Sequence, residues 1–469
     1  MPWQNLNPLL NLRCLVWVIA DMGQKLTDSS ISDARSDRSG VLPISQMLSL
    51  KVAPIWAHFK VQNASFWMVS CYLLFEYLRP QSIFKGLDFL PWMQIFIMLA
   101  LGLRLIEPRD QRAEPTALGK WLVLYFVIIL ISGALAFSPS HAWEKLNLFY
   151  IWLCIMLMFR HTVYDQRNFL ILLIIFFLAN WKMSTFGART FAMRGFSFTG
   201  WGLNGPPGYF TNSSEYAAQM SVFFAFSWYF YLALKPHVSR LLTYVLISAP
   251  ITAFLSVLGA SSRGAQLAVL VQSYFMFVHG KIRVTTLIGA AAVLYVGLTL
   301  LPDEQMERFS RMGEDKTSIQ RLLYWEHGWD MMLEYPAFGV GYFNFVPYYE
   351  SFYPEDMLYS NAQLAHNIFV QVGADLGFIG LACYMVLILF GFSLPRRAIK
   401  RLRALDQYDD WRIPVAKGLM VSFLGFLVSG QFVSIVYYPY MWIHLGLCFA
   451  LWNSTRRPQI NVERGRQAA

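Results

Sequence analysis

The sequence predicts an all-α integral membrane protein with about twelve transmembrane helices and a large loop between spans nine and ten. Three observations predict it. Hydrophobic residues make up 56% of the 469 positions and charged residues only 14%, more apolar surface than a soluble core of this size takes up. Apolar runs near the ~20 residues that carry a helix across a bilayer recur along the chain. Basic residues gather in short segments on alternate sides of those runs, the pattern that orients helices in a membrane.

In chain order, residues 1–60 form an N-terminal extension, cytoplasmic or interfacial. Its apolar stretch "LRCLVWVIA" is too short to span, carries Arg13 and leads into "SSISDARSDRSG" without a signal-peptide cleavage pattern; Met47 is an alternative start. A single polytopic domain follows over 61–455, with expected spans at 64–78, 88–106, 119–137, 146–159, 168–181, 216–234, 240–258, 264–279, 284–301, 366–394, 416–436 and 438–453. Residues 456–469 are a cytoplasmic tail. The strongest basic segment, "PRRAIKRLRALDQYDDWR" (395–412), is cytoplasmic by the positive-inside bias. Alternation then places 104–120, 160–167, 235–240 and 279–283 on the same side. The segments 138–145, 182–215, 259–264 and 302–365 lie on the opposite, outer side. Loop 302–365 is acid-rich and far longer than a usual connection. Its stretch "SIQRLLYWEHGWDMMLEY" has helical spacing, so the loop reads as a folded outer cap.

Several chemistries are excluded or disfavoured. The net charge of +10 sits in the inter-span segments, so no nucleic-acid partner is expected. The five cysteines are scattered singly, and no P-loop, dinucleotide fingerprint or HExxH occurs. The acids Asp303, Glu304 and Glu307 read as a solvated loop in preference to a divalent-ion site.

The candidate residues lie on the outer side. Arg263, in "GASSRGAQL", opens a span against the positive-inside bias and suits an anionic ligand; a snorkelling arginine is the alternative. Arg189 and Arg194 fall in a Gly-, Pro- and aromatic-rich stretch read as an irregular loop. It ends in a helix start that Thr211, Asn212, Ser213 or Ser214 caps. His366, beside Asn367, begins the tenth span, and an imidazole with an ordinary pKa near 6.5 suits proton transfer at neutral pH. Arg321 either supports the site or ties the loop together.

The segments "GPPGYFTNSSEYA", "SSRGAQL", "QRLLYWEHGWDMMLEYPAFGVGYFNF" and "AHNIFVQVGADLGFIG", in this order across residues 60–450, resemble the O-antigen ligase and O-antigen polymerase superfamily. The pattern around "GPPGYF" and "FEYLRPQSIFKGLDFLPW" is closest to ligase-like proteins of exopolysaccharide or protein-sorting clusters. The resemblance implies a helical bundle in the inner membrane with a periplasmic active site and both termini cytoplasmic. It also implies transfer of a glycan from undecaprenyl diphosphate to an acceptor hydroxyl, of lipid A core or another glycan, with no metal and no cofactor. By the same resemblance His366 is the general base, Arg263 binds diphosphate, and a second loop arginine does likewise. That second arginine is Arg194, with Arg189 the alternative because "TNSSEYA" departs from the usual pattern. Arg321 and Asn367 are supporting residues.

A polymerase joining lipid-linked repeat units is the competing product class. A secondary transporter is the rival of another class; it predicts broken spans and buried acids, for which Glu76 and Asp375 are the candidates. A scaffold of a polysaccharide-assembly complex would leave Arg263 and His366 without a purpose.

Overall fold

The computed structural model describes residues 43–107, 116–197, 202–278 and 316–456. The expected ninth span, the acids at 303–307, the tail beyond 456 and most of the N-terminal extension lie outside these residues. The chain divides into two compact units, 1–61 and 62–469. The described part of the first holds two short helices, Ile44–Leu48 and Val52–Phe59.

In the second unit the described residues form helices and connecting segments, with no strand among them. Its principal helices are α1 (Ala64–Leu78), α2 (Trp92–Ile106), α3 (Leu118–Ala134), α4 (Leu146–Thr162), α5 (Gln166–Met193), α6 (Ser213–Leu234), α7 (Arg240–Gly259), α8 (Arg263–Ser273), α9 (Lys316–Glu334), α10 (Phe345–Phe352), α11 (Ile368–Arg403), α12 (Arg412–Ser429) and α13 (Tyr440–Ser454). Among the described residues, six helical stretches are long and apolar enough to cross a membrane: Pro139–Thr162, which ends in α4, then α5, α6, α7, α11 and α12. Helices α1, α2 and α3 are apolar but shorter. This is a multi-pass membrane protein.

Helix α6 is apolar on every side because α7 and α12 enclose it. Buried amides and hydroxyls then link neighbours where no water competes. Gln219 Nε2 donates to Asn180 Oδ1 (2.9 Å), Ser256 Oγ to the Ser184 carbonyl (2.8 Å), and Gln272 Nε2 to the Ser221 carbonyl (3.0 Å). Such contacts between membrane helices are worth about 1 kcal/mol each.

Three expected boundaries are corrected. The fifth helix does not end at 181 but runs to Met193, so the expected irregular loop over 182–215 begins only after it. Polar residues such as Ser184 face neighbouring helices there. The span expected over 416–436 stops at Ser429, and residues 430–439 form a non-helical segment before α13. The expected tenth span, in α11, is broken at Gly377, whose φ of 67° and ψ of −174° lie outside helical geometry.

This break joins the cap to the bundle. Two carbonyls freed in α11, of Ala374 and Asp375, accept from the amides of Val340 (2.9 Å) and Gly341 (3.2 Å), and the Phe378 amide donates to the Pro336 carbonyl (2.8 Å). Backbone that would be unsatisfied in a broken helix is thus paired with the segment 336–341. Glycines make the approach feasible, since a Cβ on Gly377 would lie 2.6 Å from the Ala337 carbonyl carbon. Residues 371–377 are all buried, whereas Ile379, Met385 and Leu389 expose apolar surface. The lipid-facing part of α11 therefore begins just after the break, and the 26 residues from 378 to 403 are enough to span.

The bundle has one strongly basic end. Arg401 lies 3.6 Å over the Trp452 ring, Arg104 Nε donates to the His161 carbonyl (2.6 Å), and Arg412 bonds the Ser454 carbonyl. These contacts gather the ends of α2, α4, α11 and α13 with the start of α12. His366 lies at the opposite end of α11.

Gly377→Ala should lower stability by at least about 1–2 kcal/mol, the cost of a left-handed backbone with a side chain, seen as a lower Tm in nanodiscs. Gly102→Ala, with nothing within 4 Å of the added carbon, should leave Tm unchanged or raised. Equal Tm for both variants would mean that the break is not held by its glycine.

Candidate functional site

His366 has a left-handed backbone, φ 52°, in the turn that leads into α11. This conformation is uncommon for a residue with a side chain and persists where its surroundings fix it. Here four adjoining backbone groups are bonded to other parts of the chain. The Ala365 amide donates to Gln371 Oε1 (2.9 Å) and its carbonyl accepts from Trp325 Nε1 (2.9 Å). The His366 amide donates to Ser434 Oγ (3.2 Å), and the Ile368 amide to the Gly430 carbonyl (2.9 Å). Asn367 caps α11, accepting from the Phe369 (2.9 Å) and Val370 (3.3 Å) amides. Its function in the structure is therefore the helix cap.

The imidazole is held at both nitrogens. Nδ1 lies 3.2 Å from Ser434 Oγ and Nε2 lies 2.9 Å from Gln363 Oε1. The two neighbours differ in exposure: Ser434 is half-buried in segment 430–439, while Gln363 is exposed. With its proton on Nδ1, the ring donates to Ser434 and leaves the Nε2 lone pair toward the exposed side, where the Gln363 amide turns to suit. Burial of the ring, and secondarily the charge of Arg321, push its pKa down to about 4. The histidine is accordingly neutral at pH 7.

Arg321 is brought to His366 by the packing of α9 along the first segment of α11. Arg321, Trp325, Gly328 and Met332 recur at helical spacing and share one face. Along that face Trp325 meets Ala365, Gly328 packs on Val370, and Met332 packs on Gly373. The two helices therefore run parallel, with a glycine from each permitting close approach. Behind this face lies a buried cluster that includes Tyr324, Met331, Phe345, Tyr349 and Ala365.

Arg263 is the half-buried first residue of α8. The helix start is pressed against segment 430–439, because a Cβ on Gly264 would lie 2.7 Å from Phe432 Cβ. Phe432 in turn meets the Trp325 ring at 6.5 Å. One short segment thus touches α8, α9 and the His366 turn.

Arg194 ends α5, is exposed, and reaches the Gly202 carbonyl (3.5 Å). The adjacent Leu203 amide donates to the Gly259 carbonyl (3.1 Å), tying this strand of loop to the tight α7–α8 turn that precedes Arg263. Arg189 is exposed in the last turns of α5. Of the two, it is Arg194 that these bonds connect to the neighbourhood of Arg263. Asn212 is the residue that caps α6, accepting from the Ser214 amide at 2.8 Å.

Segment 430–439 and the first residue of α13 also reach the start of α6 and the "GPPGYF" loop before it. Tyr438 donates to Glu215 Oε1 (2.8 Å) and Tyr440 to the Tyr209 carbonyl (2.7 Å). Arg79 stacks 5.2 Å from the Tyr209 ring and pairs with Glu76 at 3.4 Å, both buried. Burial and the neighbouring Glu76 carboxylate raise the Tyr209 phenol to about 12, so it stays protonated.

Residues 248–385 match the family model described as O-Antigen ligase. Over this segment the chain is similar to the O-antigen ligase family. The match spans Arg263, Arg321, His366 and Asn367, while Arg189 and Arg194 precede it. No protein of curated function matches the chain.

In this O-antigen ligase-like protein, Ser434 and Gln363 are the neighbours of His366 that sequence reasoning missed. Ser434 sits in "GQFVSIVYYPY", which hydropathy merges into a span; the Gly430 and Pro439 that bound it were the available signal.

Arg321→Gln should raise the His366 pKa, because removing a neighbouring cation favours the imidazolium. Titration of a ring-labelled histidine by NMR, assigned with His366→Ala, reads it directly. An unchanged value would place Arg321 too far away to act. Since an unfolded histidine takes its proton near 6.5, this residue's contribution to stability is present above that pH and is lost as pH falls toward 4.

Proposed function

We propose that this protein is a lipid-diphosphate-dependent glycosyltransferase of the bacterial inner membrane, acting on the periplasmic face. It moves a glycan from undecaprenyl diphosphate to an acceptor hydroxyl. The observation that carries this reading is the His366 ring, bonded to the half-buried Ser434 through Nδ1 and to the exposed, displaceable Gln363 side chain through Nε2, within the segment that matches the ligase family model. The basic end of the bundle then faces the cytoplasm by the positive-inside bias.

The chemistry follows from the leaving group. The acceptor hydroxyl takes the place of Gln363 at Nε2, its oxygen attacks the anomeric carbon, and its proton passes to Nε2. The bond from that carbon to the diphosphate oxygen breaks, and the electron pair leaves on undecaprenyl diphosphate. One displacement inverts the anomeric centre. No acid is required for so good a leaving group, in contrast to the paired carboxylates of glycosidases. Arg263 and Arg321 stabilise the departing diphosphate, with Arg194 as the third cation and Arg189 the alternative to it. Arg263 also begins a helix whose cap residue Ser262 makes no side-chain cap bond, and such helix starts favour anions. The bound diphosphate, being anionic, raises the imidazole pKa from its low value in the free protein and so strengthens the base as the donor arrives.

The acids that kept a transporter in view are engaged elsewhere: Glu76 pairs with Arg79, and the Asp375 side chain accepts from Gln371 and the Phe345 amide. The acceptor is lipid A core for a ligase and a second lipid-linked glycan for a polymerase.

Purified protein in nanodiscs, given an undecaprenyl-diphosphate-linked oligosaccharide and both acceptors in competition, should transfer to one of them. His366→Ala should lower the rate by about 10²–10⁴-fold, the usual worth of a positioned base; full activity would remove His366 from the mechanism. Arg263→Lys should recover little of the loss seen in Arg263→Ala, since lysine lacks the planar fork. A lysine variant as active as the parent would reduce Arg263 to a point charge. Transfer to neither acceptor by protein that binds donor would oppose the whole assignment.

A further inference from the structure

Asp375 is fully buried, and its carboxylate takes donors from three separate parts of the chain. Oδ1 accepts from the Phe345 amide at the start of α10 (2.9 Å). Oδ2 accepts from Gln371 Nε2 (2.7 Å) and from the hydroxyl of Tyr437 in segment 430–439. Its backbone carbonyl accepts from Ser132 Oγ of α3 (2.8 Å) and from the Gly341 amide. Gln371, with its amide nitrogen committed to the carboxylate, has its oxygen committed to the Ala365 amide (2.9 Å). The sequence Asp375, Gln371, Ala365 therefore ends one residue before the left-handed His366.

We propose that Asp375 is a positioning residue for His366. It sets which way round the Gln371 amide lies, and it holds Tyr437 and hence the segment that carries Ser434. The inference rests on the proposed base role of His366. Its physical basis is hydrogen-bond polarity. A carboxylate is acceptor-only, so Gln371 must present its NH₂ to Asp375 and its oxygen to Ala365. An asparagine at 375 that keeps its oxygen on the Phe345 amide turns its own NH₂ toward Gln371 Nε2. Two donors then face each other, and the Gln371 amide turns over. That reversal presents an NH₂ to the Ala365 N–H, and the turn that fixes His366 loses its anchor. Burial makes the mismatch costly, because no water is at hand to satisfy the displaced groups.

The polarity argument also specifies its own repair. A glutamate introduced at position 371 accepts from the asparagine amide at 375 with one oxygen and from the Ala365 amide with the other. Asp375→Asn should therefore lower kcat by about tenfold or more, as expected for one misplaced hydrogen bond at a catalytic turn, with KM for the undecaprenyl-diphosphate-linked oligosaccharide within about twofold. Asp375→Asn combined with Gln371→Glu should regain most of kcat, whereas Gln371→Leu, which leaves Asp375 its other partners, should lose it as the single asparagine variant does. Parental kcat in Asp375→Asn, parental kcat in Gln371→Leu, or a double variant no better than the single would each overturn the proposal. Should Asp375→Asn fail to fold, Gln371→Leu decides alone. His366→Ala in the same assay separates the two levels: activity there defeats the base role, while an inactive His366→Ala beside a normal Gln371→Leu defeats only Asp375.

Discussion

The break in α11 at Gly377 is the constraint on which the rest of this end of the molecule depends. An unbroken helix would satisfy its own carbonyls and offer nothing to the cap. Because it is broken, the carbonyls of Ala374 and Asp375 take the amides of Val340 and Gly341, and the Pro336 carbonyl takes the Phe378 amide. The loop before α10 is thereby stitched into the bundle, and α9 is laid against the first segment of α11 with Gly328 and Gly373 at the contact. The nearness of Arg321 to His366 follows from that alignment.

Segment 430–439 plays the complementary part. It is short and irregular, yet it touches the start of α8 through Phe432, the His366 ring through Ser434, the Asp375 carboxylate through Tyr437 and the α6 start through Tyr438. These elements surround a turn whose left-handed residue, His366, is bonded through its amide and both ring nitrogens. Such over-determination keeps a strained residue in place. It also accounts for an imidazole that is buried enough to stay neutral and still open on one side.

Much of this was legible in the sequence, for a physical reason: in a chain so poor in charge, an ionisable residue at the edge of an apolar run stands out. His366 and Arg263 were singled out as candidates in that way, and helix α9 was read from its spacing. The missed features are those that hydropathy averages away. A window of about twenty residues does not register one glycine in "GADLGFIG", so the break at Gly377 was hidden. The apolar "VSIVYY" reads as continuing span, which hid Ser434. The polar stretch after residue 181 reads as loop because its serines and asparagine are satisfied by neighbouring helices rather than by water. The position of Arg321 depended on helix packing, which no single stretch of sequence displays.

The point where α11 first meets lipid has a further consequence. Ile379 is the first strongly exposed apolar side chain after the break, and about ten residues of helix separate it from the His366 turn, at most ~15 Å by helical rise. The headgroup layer outside the ~30 Å hydrocarbon core is about 5–8 Å thick on each side, so the turn stands within about 10 Å of its outer edge. For the proposed donor, the reacting sugar can reach the imidazole while the polyprenyl chain stays dissolved in the bilayer. Withdrawing that chain would cost about 0.8 kcal/mol for each methylene exposed to water, so a site at this height spares the reaction a barrier that one placed farther out would have to overcome.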